Sequence, residues 1–249
     1  MLLAAMDMQD HIRTTNHIKS GDSDPANCLP LNECHDTGNS DCTPPPAYAY
    51  ACLSQQEIRH GDRTLRTLQP ELAETLRHWR NAQIDILRQN TPLSADDQQR
   101  YFQQVVIPQF TQAEPDQVLF SYWQQEQLIG YGGLVHINWM DRRGEVSILL
   151  SPDRSARTAT HAADVLAFLP LIAAAGFRLL GLERLTSEAW DLRPHHIAAI
   201  EAFGFVREGT LRQHHLHNGR RIDALCHGLL PHEAIEIACV NSNPLQARP

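Results

Sequence analysis

Three kinds of residue in this 249-residue chain are equipped for chemistry: thiols and imidazoles for metals, carboxylates for protons, and an arginine- and hydroxyl-rich helix start for anions. The thiols are Cys28, Cys34, Cys42, Cys52, Cys226 and Cys239, with no CxxC pair among them. Zinc sites need closely spaced ligand pairs, so reduced cysteines of a cytoplasmic protein are the expectation, without a metal. His195-His196 and His214-His215 are adjacent pairs. Such neighbours point apart on a strand and only partly together on a helix, so they too predict no metal. Glu145 and Glu188 fall in predicted strands, with Asp191 just beyond the second. By type each is a proton acceptor; by composition alone each is equally a solvated strand residue. Arg154 to Ala163 opens a long apolar segment, and a helix N-terminus there suits an anion because its first N–H groups are unpaired.

Charge narrows the partners. The net charge is -8, and residues 1–55 carry seven acids against two bases. An acidic chain with no basic block argues against nucleic acid. No apolar run is read as reaching the length of a bilayer span, so a soluble protein with no membrane partner is expected. The opening Met-Leu-Leu-Ala-Ala is too short for a signal-peptide core.

The elements that must position these groups begin late. Residues 1–55 are rich in Asp, Asn, Thr and Pro, with too few aliphatic residues to offset their ordering entropy. They are expected to form a disordered or poorly ordered extension, residues 56–235 a folded domain, and 236–249 a C-terminal tail. Leu65 and Leu68 mark a short strand. Pro70 then opens a helix with Leu72, Leu76, Trp79, Ile84 and Leu87 at helical spacing. Ser94 caps a second helix carrying Tyr101, Phe102 and Val105. Strands follow over 118–122 and 128–137, joined by a polar turn, and Gly130, Gly132 and Gly133 predict a bulge or close backbone approach. After these come the strand over 146–150, the helix from about His161 to Leu180, and the strand Leu185–Asp191. A short helix then ends in Gly204-Phe205, and two strands meet at Asn218-Gly219.

That order, over about Glu57 to Leu230, resembles the GCN5-related N-acetyltransferase (GNAT) superfamily. The resemblance implies an α/β fold with a mixed, mainly antiparallel sheet flanked by helices, and acetyl-CoA as co-substrate with no metal. It implies that the strand at Val146, Ile148, Leu149 and Leu150 splays from its neighbour and pairs with the pantetheine arm. It assigns the pyrophosphate to the following helix start. Relatives usually carry glycines there; this chain has none, and Arg154, Arg157, Thr158 and Thr160 are the groups implied to replace them. Glu188 stands seventeen residues before Phe205, the place of the general base in many relatives. Glu145 is the competing base and Asp191 a lesser one. Arg193 replaces the usual Asn and is implied as a phosphate contact. Ile200 replaces the Tyr that serves many members as general acid, leaving water, His214 or His215 to protonate the thiolate.

Gly209-Thr210-Leu211-Arg212, Asn218-Gly219 and Asp223 are similar to the ending of the RimJ/RimL-like branch, which acetylates protein N-termini. Trp79-Arg80-Asn81 resembles a motif of that branch and of nearby sugar-modifying acetyltransferases, which places Arg80 and Asn81 near the acceptor. The implied reaction is acetyl transfer to a primary amine of a small molecule, including a nucleotide-linked amino sugar. A protein N-terminus is the alternative acceptor, and a degenerate acyl-CoA-binding module the alternative class. A cytoplasmic monomer or homodimer is expected.

Overall fold

The computed structural model describes residues 48–239. The expectations for 1–47 and 240–249, including Cys28, Cys34 and Cys42, lie outside the described residues. Eight strands form one sheet in the order β1-β2-β3-β4-β5-β6-β8-β7. They are β1 (Glu57–His60), β2 (Arg63–Thr67), β3 (Val118–Gln124), β4 (Gln127–Asn138), β5 (Arg143–Leu150), β6 (Arg184–Trp190), β7 (Val206–His217) and β8 (Arg220–Leu229). Every neighbouring pair is antiparallel except β5 with β6. The mixed, mainly antiparallel sheet flanked by helices is the architecture expected from the sequence.

The main helices are α1 (Ala73–Asn81), α2 (Ala95–Tyr101, its helical path continuing through Gln109), the short α3 (Pro152–Ser155), α4 (Thr158–Ala173, continuing through Leu179) and α5 (Pro194–Phe203). Two faces of the sheet take them. Phe168 of α4 lies against Gly132 of β4, whereas Arg80 of α1 reaches Tyr131, the next residue along. Successive strand residues point to opposite faces, so α4 and α1 cover opposite sides. The close approach predicted for the β4 glycines is real. A Cβ on Gly132 would stand 2.2 Å from the Ser147 carbonyl oxygen, and one on Gly133 would stand 2.1 Å from that of Val118.

Local signals set the helix ends. Ser94 and Asp97 form a reciprocal capping box at the start of α2, satisfying two otherwise open amides. Gly204 closes α5 at φ 125°, a conformation that residues with a Cβ rarely adopt. Asn218 and Gly219, both at positive φ, make the tight turn between β7 and β8.

Three expectations need correction. The first helix stops at Asn81, short of Ile84 and Leu87, which belong to a single tight turn over Ile84–Ile86 and the extended chain after it. Gln83 leaves helical geometry at φ -132°, and the Asn81 side chain bonds both backbone groups of Leu93 instead. The core also begins before residue 56. Tyr50 is 1% exposed, packs on Phe110, and its hydroxyl accepts the Leu119 N–H at 3.0 Å. At the other end Ala238 is buried, bonding Pro170 and Arg178. Finally, Thr158–Leu179 is long and apolar enough to cross a membrane, with mean hydropathy 1.7. It is the central core helix, and 67% of its most apolar window is buried within the protein.

Candidate active site

The parallel strands β5 and β6 pair at only three positions: Arg143 with Arg184, Gly144 with Leu185, and Glu145 with Thr186. Beyond them the strands part. From Val146 to Leu150, β5 stays bonded to β4 but has no strand on its other side. The result is a fork opening toward the carboxyl ends of both strands, where α/β sheets commonly hold ligands. Ser147 on one prong and Ser187 on the other are buried, and neither hydroxyl has a hydrogen-bond partner. The two point to opposite faces of the sheet, Ser147 to the side of Glu145 and Ser187 to the other, and each buried hydroxyl without a partner costs free energy. Gln83 Nε2 donates to the Leu150 carbonyl at 3.0 Å and closes one end of the free edge.

At the mouth of the fork the two candidate carboxylates meet. Glu145 closes the last strand pair and Glu188 lies two residues past its partner, so strand alternation puts both on one face. Arg88, from the segment between α1 and α2, bridges them: its Nη2 is 2.9 Å from Glu188 Oε1 and 3.4 Å from Glu145 Oε1. His136 Nδ1 sits 3.0 Å from Glu145 Oε2, aimed there by a bulge in β4 that puts His136 at φ 49°. His214 Nε2 stands 3.9 Å from Glu188 Oε1. Cys226 lies opposite Glu188 on β8; burial, then the charges of Glu188 and Glu145, pushes its thiol up and keeps it neutral. His215 is stacked on Trp190, ring centroids 3.3 Å apart, and Asp191 is exposed at the end of β6.

Arg80 and Asn81 are not beside the carboxylates. Arg80 is 5% exposed, donating to Tyr131 Oη and Gln89 Oε1, while Asn81 Oδ1 accepts from Gln89 Nε2. Both clamp Gln89, the neighbour of Arg88, and so hold the bridge in place.

The helix starts face the same opening. Arg157 begins α4 with extended backbone and no side-chain cap, so the first amides of α4 keep their capacity for an anion. Arg157, Thr158, Ala156 and Ala159 are exposed, and Thr160 is half-buried. Arg154 is engaged otherwise: its Nε and Nη2 bond the two oxygens of Asp164 at 2.5 and 2.9 Å, and Arg63 bonds the same carboxylate at 2.9 Å. Arg193 begins α5, also without a side-chain cap, and burial lowers its pKa to about 10. An open strand edge and an uncapped α4 fit an extended acyl carrier ending in phosphates.

Between the two helix starts lies a cluster that the sequence did not announce. His161 Nε2 and His196 Nδ1 are 3.0 Å apart, and the His195 ring stands edge-on to His161 at 4.9 Å. His161 and His196 are 2% and 1% exposed. Burial pushes His161 down to about 3, helped by Arg193 and His195, and holds His196 well below its ordinary value. In the unfolded chain both protonate near pH 6.5. The unfolded state therefore binds more protons below that pH, and stability is expected to fall as pH drops from about 6.5 toward 3. Each histidine contributes at most about 1.4 kcal/mol per pH unit in that window. Urea midpoints at several pH values should show a shallower acid slope for His161→Gln; an unchanged slope would exclude His161 as a source.

Neither Arg88 nor His161 carried a local signal. Arg88 sits in a polar connection without periodicity, and His161 meets His196 only because two successive parallel strands feed adjacent helices. Among the described residues no three His, Cys, Asp or Glu are placed to hold a metal ion.

A family model described as an acetyltransferase (GNAT) domain matches residues 65–226. No curated protein matches the chain. In fold it is similar to the spermidine N-acetyltransferase from Vibrio cholerae solved with CoA and spermine, at TM-score 0.59 and 19% identity, covering 70% of this chain and 98% of that one. A dodecameric form of spermidine N-acetyltransferase from the same organism matches at TM-score 0.58 and 20% identity, covering 69% and 95%. At these identities the likeness is one of fold.

Proposed function

The chain belongs to the GNAT acetyltransferase family, and on that premise we propose that it acetylates a primary amine of a small molecule, with Glu188 as the base. It is an acyltransferase that uses acetyl-CoA, which supplies an acetyl group activated as a thioester. The observation that carries the acceptor reading is the meeting of Glu145 and Glu188 at the mouth of the fork. An ammonium must lose a proton before its nitrogen can attack, and carboxylates there attract the cation and take the proton. Both carboxylates share Arg88, and Glu188 is the better base because the fork opens beside it and it is the more exposed, whereas Glu145 is also engaged by the last strand pair and by His136. The open edge at Val146, Ile148, Leu149 and Leu150 would hold the carrier arm, and Arg157, Thr158, Thr160 and Arg193 its phosphates. Arg154 acts at one remove, bracing the α3–α4 connection through Asp164. His214, 3.9 Å from Glu188, or water would return a proton to the leaving thiolate.

The similar solved structures are spermidine N-acetyltransferases, and paired carboxylates suit an alkylammonium. An amino sugar, nucleotide-linked or free, also presents a primary ammonium. The β7–β8 hairpin supports the RimJ/RimL-like branch, since Asp223 Oδ1 accepts the amide of Gln213 at a bulge in β7 and so gives that motif residue a structural purpose. Thermal unfolding with acetyl-CoA and thiol release across amino sugars, polyamines, amino acids and N-terminal peptides test the proposal together. Millimolar acetyl-CoA should raise the melting temperature, because a ligand bound only by the folded state stabilises it. Thiol release should follow with a small amine. A melting shift with no release from any amine would make the chain a binding module; release with peptides alone would move the acceptor to protein N-termini.

A further inference from the structure

We propose that Arg88 sets the charge of the acceptor site, so that it favours amines with a single ammonium group and discriminates against polyamines. This rests on reading Glu145 and Glu188 as the acceptor-binding pair. Two carboxylates alone would present two negative charges. The guanidinium of Arg88 lies 2.9 Å from one and 3.4 Å from the other, is permanently protonated, and leaves one. The remaining polar neighbours do not restore the second charge, since Glu208, whose charge also reaches Cys226, is itself paired with Arg184. Cys226 faces Glu188 as a neutral thiol, Thr186 pairs with Glu145, and His136 and His214 can only add positive charge. The Glu145, Glu188 and Arg88 side chains are 14%, 24% and 26% exposed, so these charges are less screened than on an open surface.

The placement of Arg88 is built rather than incidental. The adjacent Gln89 accepts from Arg80 Nε at 3.1 Å and donates to Asn81 Oδ1 at 3.0 Å, while Asn81 also bonds Leu93. Two residues of α1 thus hold the side chain of Gln89, next to Arg88, and Asn81 ties the far end of the same connection. A monoamine shares the pair with Arg88 and balances its one remaining charge. A polyamine brings further ammonium groups toward a site already balanced.

Calorimetric binding of n-butylamine and spermidine to the CoA complex of the full chain tests this, comparing wild type, Arg88→Gln and Arg88→Lys. Arg88→Gln should tighten spermidine relative to butylamine by about 10-fold, and raising the salt should shrink that gain. Arg88→Lys should keep the wild-type ratio. A purely structural role for Arg88 would weaken both amines alike and leave their ratio fixed. An unchanged ratio in Arg88→Gln, the same shift in Arg88→Lys, or no binding of either amine by any variant would each overturn the proposal. The measurement needs no turnover. If wild type binds amines yet acetylates none, the proposed function falls while the ratio still decides the part played by Arg88.

Discussion

Glu188→Gln is expected to lower turnover by about 10²–10⁴-fold, the usual scale of general-base assistance, with acetyl-CoA affinity little altered. Glutamine keeps the shape and an oxygen for the Arg88 bond, so the loss isolates basicity from packing. The defect should shrink at high pH, where more of the amine is already deprotonated. Glu145→Gln is the informative partner, because the same arginine ties the two carboxylates together. Wild-type turnover in Glu188→Gln with an inactive Glu145→Gln would transfer the role to Glu145. Retention in both would leave proton removal to solvent and catalysis to positioning.

Asp164→Ala should cost about 3–5 kcal/mol of folding stability, the range seen when one partner of a buried ion pair is removed. Asp164 is 1% exposed and holds Arg63 and Arg154, themselves 11% and 16% exposed, so its loss takes the shared buried carboxylate from two largely buried cations. Arg63 Nε already lacks a partner there, and the acceptors that remain are the exposed Asp62 for Arg63 and the neutral Gln124 for Arg154. Replacing Arg154 by Met in the same chain should recover part of the loss. Urea unfolding checks both, and a cost under about 1 kcal/mol would show that water reaches the site and screens the pair.

What the sequence made legible was local. The Ser94 cap, the Gly204 stop, the Asn218-Gly219 turn and the close approach at the β4 glycines each follow from one or two residues and their backbone needs. Periodicity was less exact. Ile84 and Leu87 continue the helical spacing of α1, yet a side-chain bond from Asn81 to Leu93 ends the helix first. Tyr50 looked like part of a polar extension because its partners, Phe110 and Leu119, lie far along the chain. Arg154 shows the same limit at the site. Position alone suggested a phosphate contact, and nothing near it in sequence marked Asp164, two turns into α4, as its partner. The carboxylates were visible by type and strand position; the arginine that joins them was not.

The fork also bears on how the fold comes apart. Only three residue pairs stitch β1–β5 to β6–β8, so backbone bonding lends little cooperativity across that seam. Besides the Arg88 bridge between Glu145 and Glu188, the link falls to the core helix and its continuation, where Gly176 packs beside Leu134 of β4 and Leu185 of β6 together. The apo protein is therefore expected to lose β6–β8 sub-globally before the rest, seen as earlier amide exchange there. A molecule laid along the open edge of β5 would splint the two parts, and exchange should then report a single cooperative unit.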